Sequence, residues 1–239
     1  VPESGLGSRG PGGGGGCVGM GERGQALVGG IASPKGASRY INGTEALRHL
    51  HRLRARVDAV VVGVGTAIAD DPQLTTRHVP GPNPVRVVID PQGRMPDDLS
   101  MLSDGAGPVL GITRPGRRLP REVEPVPVES DGDGHIRPCD MVAALAARGL
   151  RRLLVEGGAE TLARFIDAGA LDELHLMVAP VVLGSGKTGL NLRPIERLEE
   201  AMRPDVRTLR FRDGDLLCLC DLASARAESG LPQAAATGS

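Results

Sequence analysis

The sequence predicts an α/β fold of three layers, in which helices cover both faces of a mixed, mostly parallel β-sheet that ends in an antiparallel hairpin. Short apolar segments alternate with segments of helical periodicity, and the last two apolar segments flank the turn-forming residues Arg212–Asp215. The core must be aliphatic, because 40% of the 239 residues are hydrophobic but only two Phe, one Tyr and no Trp occur.

The first predicted helix begins near Thr44. Its apolar stripe consists of Leu47, Leu50, Leu53 and Val57, which follow one another at helical spacing. Arg54 lies at the border of this stripe. Two interpretations of Arg54 stay open, an ordinary solvated arginine or a cation that points into a cleft.

The remaining elements follow in order along the chain. Apolar runs predict the strands Ala59–Val64, Val85–Ile89, Val109–Ile112, Leu153–Val155 and Leu174–Leu183, the last bent near Pro180. Helical patterns at Met141–Ala147 and Thr161–Ala168 are followed by Gly149 and Gly169. The hairpin strands are Val206–Phe211 and Leu216–Cys220.

One domain is predicted over residues 17–222. Residues 1–16, with the run Gly12–Gly16, are expected to be a disordered leader, and residues 223–239 a flexible tail. The segment Cys17–Gln25 is rich in glycine and predicts only a weak strand.

Composition excludes several classes of function. The 28 basic and 29 acidic residues give a net charge of −1, which argues against a strongly basic nucleic-acid binder. No apolar run reaches the roughly 18 residues of a membrane span, so no membrane contact is expected. The four cysteines lack metal-ligand spacing and no secretory signal is evident, so we expect a cytoplasmic protein without a metal.

Two strand exits stand out, because ligands of α/β sheets collect beyond the carboxyl ends of parallel strands. At Leu153–Thr161, two glycines precede a helix whose free N–H groups suit a cofactor diphosphate. The alternative is a tight left-handed turn capped by Glu160 or Thr161. At Gly63–Pro72, the pair Asp70-Asp71 suggests capping by one aspartate. Neither exit completes the G-x-G-x-x-G motif, which argues against a standard Rossmann site.

A set of motifs in fixed order resembles the riboflavin-biosynthesis reductase domain over about residues 24–220. The motifs are Ser38–Gly43, Leu53–Arg56, Val62–Arg77 (VGVGTAIADDPQLTTR), Pro84–Asp90, Leu154–Gly158 (LVEGG) and Ala179–Gly184. The resemblance implies a dihydrofolate-reductase-like fold, NADPH as cofactor and a homodimer. It also implies reduction of the ribose carbonyl of 5-amino-6-(5-phosphoribosylamino)uracil to the ribityl chain.

The same resemblance assigns site residues. The substrate side would consist of Ser38, Arg54, Leu74, Arg77 and Glu156, with the two arginines suited to a phosphate. The cofactor side would consist of Tyr40, Thr66, Asp70, Gly158, Ala159, Glu160, Thr161 and Leu162. The zinc-deaminase signature H-x-E…P-C-x-x-C that often precedes this domain is absent, so we expect a reductase alone.

The sequence departs from the family pattern at Ala26–Gly30. Family members usually carry S-x-D-G-(K/R) there, and this chain lacks the serine, the aspartate and the basic residue. Two alternatives therefore accompany the riboflavin-type reaction. One is a reductase of a pterin, a folate or a secondary-metabolite pyrimidine, and the other is a non-catalytic NADPH-binding homologue. No general acid is assigned from the sequence.

Overall fold

The computed structural model describes residues 17–27, 29–32, 41–183 and 187–229. The strands are β1 (Val18–Ala26), β2 (Gly30–Ala32), β3 (Ala59–Gly63), β4 (Val85–Ile89), β5 (Val109–Thr113), β6 (Val123–Pro127), β7 (Arg152–Val155), β8 (Glu173–Ala179), β9 (Lys187–Thr188), β10 (Asp205–Arg210) and β11 (Leu216–Asp221). The helices are α1 (Thr44–Arg54), α2 (Val64–Asp70), α3 (Ser100–Ser103), α4 (Pro138–Ala146), α5 (Ala159–Asp167) and α6 (Leu222–Ser229). Among the described residues, no helix has the length and apolar composition needed to cross a bilayer.

The described strands form a nine-stranded sheet in the order β10-β11-β8-β1-β7-β3-β4-β5-β6, and β2 pairs with β9 separately. Strands β8, β1, β7, β3, β4, β5 and β6 run parallel, whereas β11 is antiparallel to both β8 and β10. This arrangement confirms the predicted mostly parallel sheet with a C-terminal hairpin. After β6 the chain returns to β7, which lies between β1 and β3, and β8 then pairs with the other edge of β1. The strand order changes direction at this point, where α/β proteins bind ligands.

Helices pack on both faces of the sheet, which gives the predicted three layers. On one face, α4 and α5 pack against residues such as Val61 and Leu153. On the other face, α2 and α3 pack against Val60, while α1 packs against Leu154. The core is aliphatic, as the composition requires.

Strand β1 is the main difference from the sequence prediction, because a central strand stands where only a weak one was expected. Two of its glycines, Gly19 and Gly21, face the layer that contains α5. A Cβ at Gly21 would lie 2.7 Å from a methyl carbon of Leu162, and one at Gly19 would lie 3.3 Å from a methyl carbon of Leu171. The glycines that lower strand propensity thus permit close packing of helix and sheet.

Several smaller elements also differ from the prediction. Helix α2 follows β3 directly, at the exit Gly63–Pro72, where no helix was assigned from the sequence, and β8 ends before Pro180. Strand β6 contains two prolines and was not predicted; it lies at the sheet edge, where a missing N–H is tolerated. The predicted tail from residue 223 begins as part of α6, whose Leu222 and Ala225 are buried. Residues 1–16 and 230–239 lie outside the described residues.

Two aspartates in loops accept hydrogen bonds from backbone N–H groups at the starts of helices that are distant in sequence. Asp215, in the predicted hairpin turn, accepts a hydrogen bond from the Gly43 N–H at 2.7 Å, directly before α1. Asp71, in a left-handed conformation after α2, accepts one from the Ser100 N–H at 2.8 Å. Asp71 thus binds the start of α3 from a distant loop, while Leu99, the N-cap residue of α3, makes no side-chain cap.

Candidate active site

A cleft of about 1690 Å³ lies at the carboxyl ends of β1, β7 and β3. Of the residues predicted for the substrate side, Arg54, Leu74 and Glu156 line it. Of those predicted for the cofactor side, Thr66, Asp70, Gly158, Ala159 and Glu160 line it. The fold thus brings together two groups of residues that are far apart in sequence.

A buried ion pair joins the last residue of α1 to the first residue after β7. Arg54 Nε donates to Glu156 Oε1 at 2.7 Å, and Arg54 Nη2 donates to Glu156 Oε2 at 2.6 Å. Arg54 Nη1 donates to the Thr75 carbonyl at 3.0 Å. Burial lowers the pKa of Arg54, but the charge and hydrogen bonds of Glu156 outweigh it and raise the pKa above its ordinary value. Arg54 is therefore a cleft residue, and the solvated interpretation is wrong.

The pairing bears on the role expected for Arg54 at a substrate phosphate. Nε and Nη2, the two donors of one guanidinium edge, already bind the Glu156 carboxylate, so that edge is occupied in this structure. What it provides is a fixed orientation for Glu156, whose carboxylate faces the cleft.

Two charged residues of β1, Glu22 and Arg23, line the same cleft and were missed by the sequence analysis. Burial and the nearby charge of Glu156 raise the pKa of Glu22 to about 8. Arg23 Nη1 donates to the Gly157 carbonyl at 2.8 Å, and burial lowers the pKa of Arg23. A signal in the sequence could have identified them as candidate site residues. They are two adjacent charged residues within a segment that forms a strand.

The turn between β7 and α5 is open for a ligand. Gly158 N–H donates to Thr66 Oγ1 at 3.1 Å, and among the described residues no side chain caps α5. Neither Gly157 nor Gly158 has a positive φ, so the alternative of a left-handed turn capped by Glu160 or Thr161 is wrong. The first-turn N–H groups of α5 are thus available to an anion.

A second cleft of about 550 Å³ continues beyond this turn. It shares Gly65, Thr66, Gly158, Ala159 and Glu160 with the main cleft. Three potential cations, Arg94, His135 and Arg164, line it. An elongated ligand that crosses the start of α5 would therefore reach both clefts.

The other predicted site residues are placed differently. Thr161 lines only the second cleft. Leu162 is fully buried beneath β1 and lines neither cleft, because it belongs to the apolar face of α5. Arg77 is exposed, contacts Gln73 and lies outside the lining, so it is not brought into the cleft. Ser38 and Tyr40 lie outside the described residues, as does Val28 of the departure from the family pattern.

Comparisons with known proteins agree with this geometry. The model of the RibD C-terminal domain matches residues 24–211. The 2,5-diamino-6-ribosylamino-4(3H)-pyrimidinone 5′-phosphate reductase of Methanothermobacter thermautotrophicus is 34% identical over 198 residues, covering 80% of this chain and 91% of that protein. The riboflavin biosynthesis protein RibD of Aquifex aeolicus is 31% identical over 188 residues, covering 77% of this chain and 53% of that protein.

A solved structure also matches. The deaminase/5-amino-6-(5-phosphoribosylamino)uracil reductase of Thermotoga maritima superposes with a TM-score of 0.72 at 25% identity, covering 86% of this chain and 56% of that one. The chain therefore spans most of the archaeal reductase but only about half the length of the RibD proteins.

Proposed function

Because the chain belongs to the RibD C-terminal domain family, we propose that it is an NADPH-dependent reductase that converts the ribose of a ribosylaminopyrimidine 5′-phosphate to a ribityl chain. The observation that carries this proposal is the main cleft, which joins an uncapped helix start to the buried Arg54–Glu156 pair. The relatives named for this reaction come from archaea and bacteria.

The residues around the turn fit a dinucleotide. The first-turn N–H groups of α5 suit its diphosphate, and the buried Nε of Arg23 has no partner among the described residues. The second cleft has room for the adenosine end. Arg94 in its lining favours a 2′-phosphate, which supports NADPH over NADH.

The substrate side is proposed to use the remaining lining residues. Glu156, held by Arg54, offers a fixed carboxylate to N–H or O–H groups of the pyrimidine and sugar. Leu74, buried with a positive φ of 56°, presents apolar surface to the ring. When bound, NADPH supplies a hydride, and the chain's own contribution is to hold donor and acceptor carbons in contact and exclude water.

Turnover by the purified protein tests the proposal. We expect NADPH oxidation that depends on 5-amino-6-(5-phosphoribosylamino)uracil or its 2,5-diaminopyrimidinone counterpart, with a ribityl product identified by mass spectrometry. Dihydrofolate serves as the comparison substrate, because the departure from the family pattern at Ala26–Gly30 raised a folate as an alternative. Ala26 is buried and supplies no polar group where the family pattern has serine. Faster oxidation with dihydrofolate, or NADPH binding without any turnover, would contradict the proposed reaction.

Substitution of Gly157 tests the phosphate turn directly. A Cβ at this position would lie 2.8 Å from Thr161 Cβ, so Gly157→Ala must displace the start of α5. We expect at least a tenfold weaker Kd for NADPH, or about 1.4 kcal/mol, measured by nicotinamide fluorescence. Gly132→Ala is the matched control, because its methyl group would meet no atom within 4 Å. Equal affinities for both variants would contradict the assignment.

We propose a homodimer formed through β10. Strand β8, the long apolar strand, pairs with β11 and β1 and so has no free edge for a second copy. Strand β10 is an edge strand with exposed Val206 and Leu209, a surface that proteins normally cover. Light scattering should give twice the chain mass, and Val206→Asp should give a folded monomer. A monomeric wild type would contradict this proposal.

We also propose that the protein resides in the cytoplasm. All four cysteines are unpaired, including Cys218 and Cys220 on the same strand. Free thiols at these positions are typical of a reducing compartment.

A further inference from the structure

Glu22 occupies a distinctive place in the main cleft. In the β1–β7 pairing, Gly21 lies opposite Val155, so Glu22 is level with Glu156, the next residue along. Because Gly21 faces α5, strand alternation turns Glu22 to the opposite face, where α1 places Arg54. Glu22 thus lines the cleft beside the buried ion pair without being part of it.

Charged and titratable groups face Glu22 from each neighbouring element. These are Glu156 from the end of β7, Arg54 from α1, Arg23 on its own strand and His175, its register partner on β8. Arg54 already donates two hydrogen bonds to Glu156, and among the described residues no hydrogen bond or ion pair holds the Glu22 carboxyl. Burial and the charge of Glu156 raise the pKa of Glu22 to about 8, so its carboxyl carries a proton at neutral pH.

The other acidic or basic groups of the cleft are less suited to donate a proton. Both carboxylate oxygens of Glu156 accept hydrogen bonds from Arg54, so this group is already engaged with the guanidinium. His51, behind the cleft, has its pKa lowered to about 4 by burial and by the charge of Arg54, so its ring is neutral. Asp70 is exposed at the cofactor end of the cleft. Glu22 is the protonated carboxyl nearest the pair that is proposed to hold the substrate.

We propose that Glu22 is the general acid that protonates the ring oxygen of the substrate ribose while the sugar opens. This inference rests on the proposed function, since it assigns a role within that reaction. A carboxylic acid kept neutral at pH 7 by its surroundings is an effective proton donor.

The step balances in atoms and electrons. The bond between the anomeric carbon and the ring oxygen breaks, and the oxygen keeps that electron pair and takes the proton of Glu22. The exocyclic nitrogen shares its lone pair with the anomeric carbon, which becomes an iminium carbon. Addition of a hydride from a reduced nicotinamide to that carbon returns the π electrons to nitrogen and gives a secondary amine. The Glu22 carboxylate regains a proton from water, so each turnover consumes one hydride and one proton.

Glu22→Gln tests this role, with Glu22→Asp as the variant that keeps the acid. We expect Glu22→Gln to lower kcat at pH 7 by about 10²–10⁴-fold, while the NADPH Kd stays within about twofold. The absence of Trp leaves nicotinamide fluorescence free of indole background. Glu22→Asp should recover part of the rate. Glu45→Gln is the matched control, because Glu45 pairs with Arg48 on α1 outside the cleft lining.

The pH profile and an infrared measurement give readouts that a merely structural role would not move. Wild-type kcat should fall above about pH 8, and the residual rate of Glu22→Gln should lack this limb. Infrared difference spectra should contain the C=O band of a protonated carboxyl at pH 7, lost near pH 8 and absent from Glu22→Gln.

The outcomes separate this inference from the proposed function. An active wild type whose Glu22→Gln variant keeps both its rate and its alkaline limb would overturn the role of Glu22 alone. A wild type that binds NADPH but never turns over would overturn the proposed reaction and this role together.

Discussion

Arg54→Ala is expected to destabilise the protein by about 3–5 kcal/mol and to abolish turnover. The substitution leaves the Glu156 carboxylate in a nearly buried site without the two hydrogen bonds that hold it. Chemical denaturation with circular dichroism measures the free energy of unfolding. Loss of turnover follows because Glu156 would no longer have a fixed orientation in the cleft.

Arg152→Ala is the matched control for this prediction. Arg152 also binds a carboxylate, Asp58, at 2.6 and 3.1 Å, but its side chain is 61% exposed, against 8% for Arg54. Its loss should therefore cost about 1 kcal/mol or less. The double variant Arg54→Met/Glu156→Gln should regain stability relative to Arg54→Ala without regaining activity. If Arg54→Ala and Arg152→Ala lower the free energy of unfolding equally, burial does not make the Arg54–Glu156 pair the stronger of the two.

Acidification is expected to destabilise the protein through His49. Burial, together with the neighbouring His175, lowers the pKa of His49 to about 3. Below pH 6.5 the unfolded chain binds a proton there that the folded protein does not, so stability is lost as pH falls from about 6.5 towards 3. The loss attributable to His49 is about 2 kcal/mol between neutral pH and pH 5.

Glu22 has the opposite effect on the pH dependence of stability, so its contribution must be measured separately from that of His49. Its raised pKa means that the folded protein retains a proton between about pH 4.5 and 8 that the unfolded chain releases, so this group lowers stability as pH rises. The two slopes oppose each other between pH 4.5 and 6.5. In the Glu22→Gln variant, the decrease in the free energy of unfolding that His49 causes at acidic pH should therefore be seen without this opposing effect. Glu22→Gln should also be more stable than wild type at pH 8.

Adding His49→Gln to Glu22→Gln isolates the histidine. Denaturation at several pH values should then give a flatter dependence than in Glu22→Gln alone, because the group that titrates only in the unfolded chain is gone. His135→Gln, at an exposed position, is the control for the substitution itself. If the free energy of unfolding depends on pH in the same way with and without His49, the burial of His49 is not the cause of the instability in acid.

Much of the fold could be predicted because its central strands are short, mostly apolar runs, broken in β4 only by Arg86. β3 and β4 are covered on both faces, and their Val and Ile content predicts them with nearly the observed bounds. β1 could not be predicted in this way. Gly19 and Gly21 are required by the close approach of Leu171 and Leu162, and those contacts come from a helix and a segment more than a hundred residues away.

The site was predictable only where residues occur in compact motifs. The glycines after β7 and the Thr66 segment identified both sides of the phosphate turn. Arg54 stayed ambiguous, since its partner Glu156 is 102 residues away. Glu22 was missed for the same reason, because its proton affinity depends on burial and on the charge of Glu156, which only the folded sheet brings beside it.

A crystal structure with NADP⁺ bound would locate the cofactor. We expect the diphosphate within hydrogen-bonding distance of the N–H groups at the start of α5, with the nicotinamide in the main cleft near Glu22 and Glu156. A nicotinamide bound away from this cleft, or a diphosphate held elsewhere than at the start of α5, would contradict this expectation.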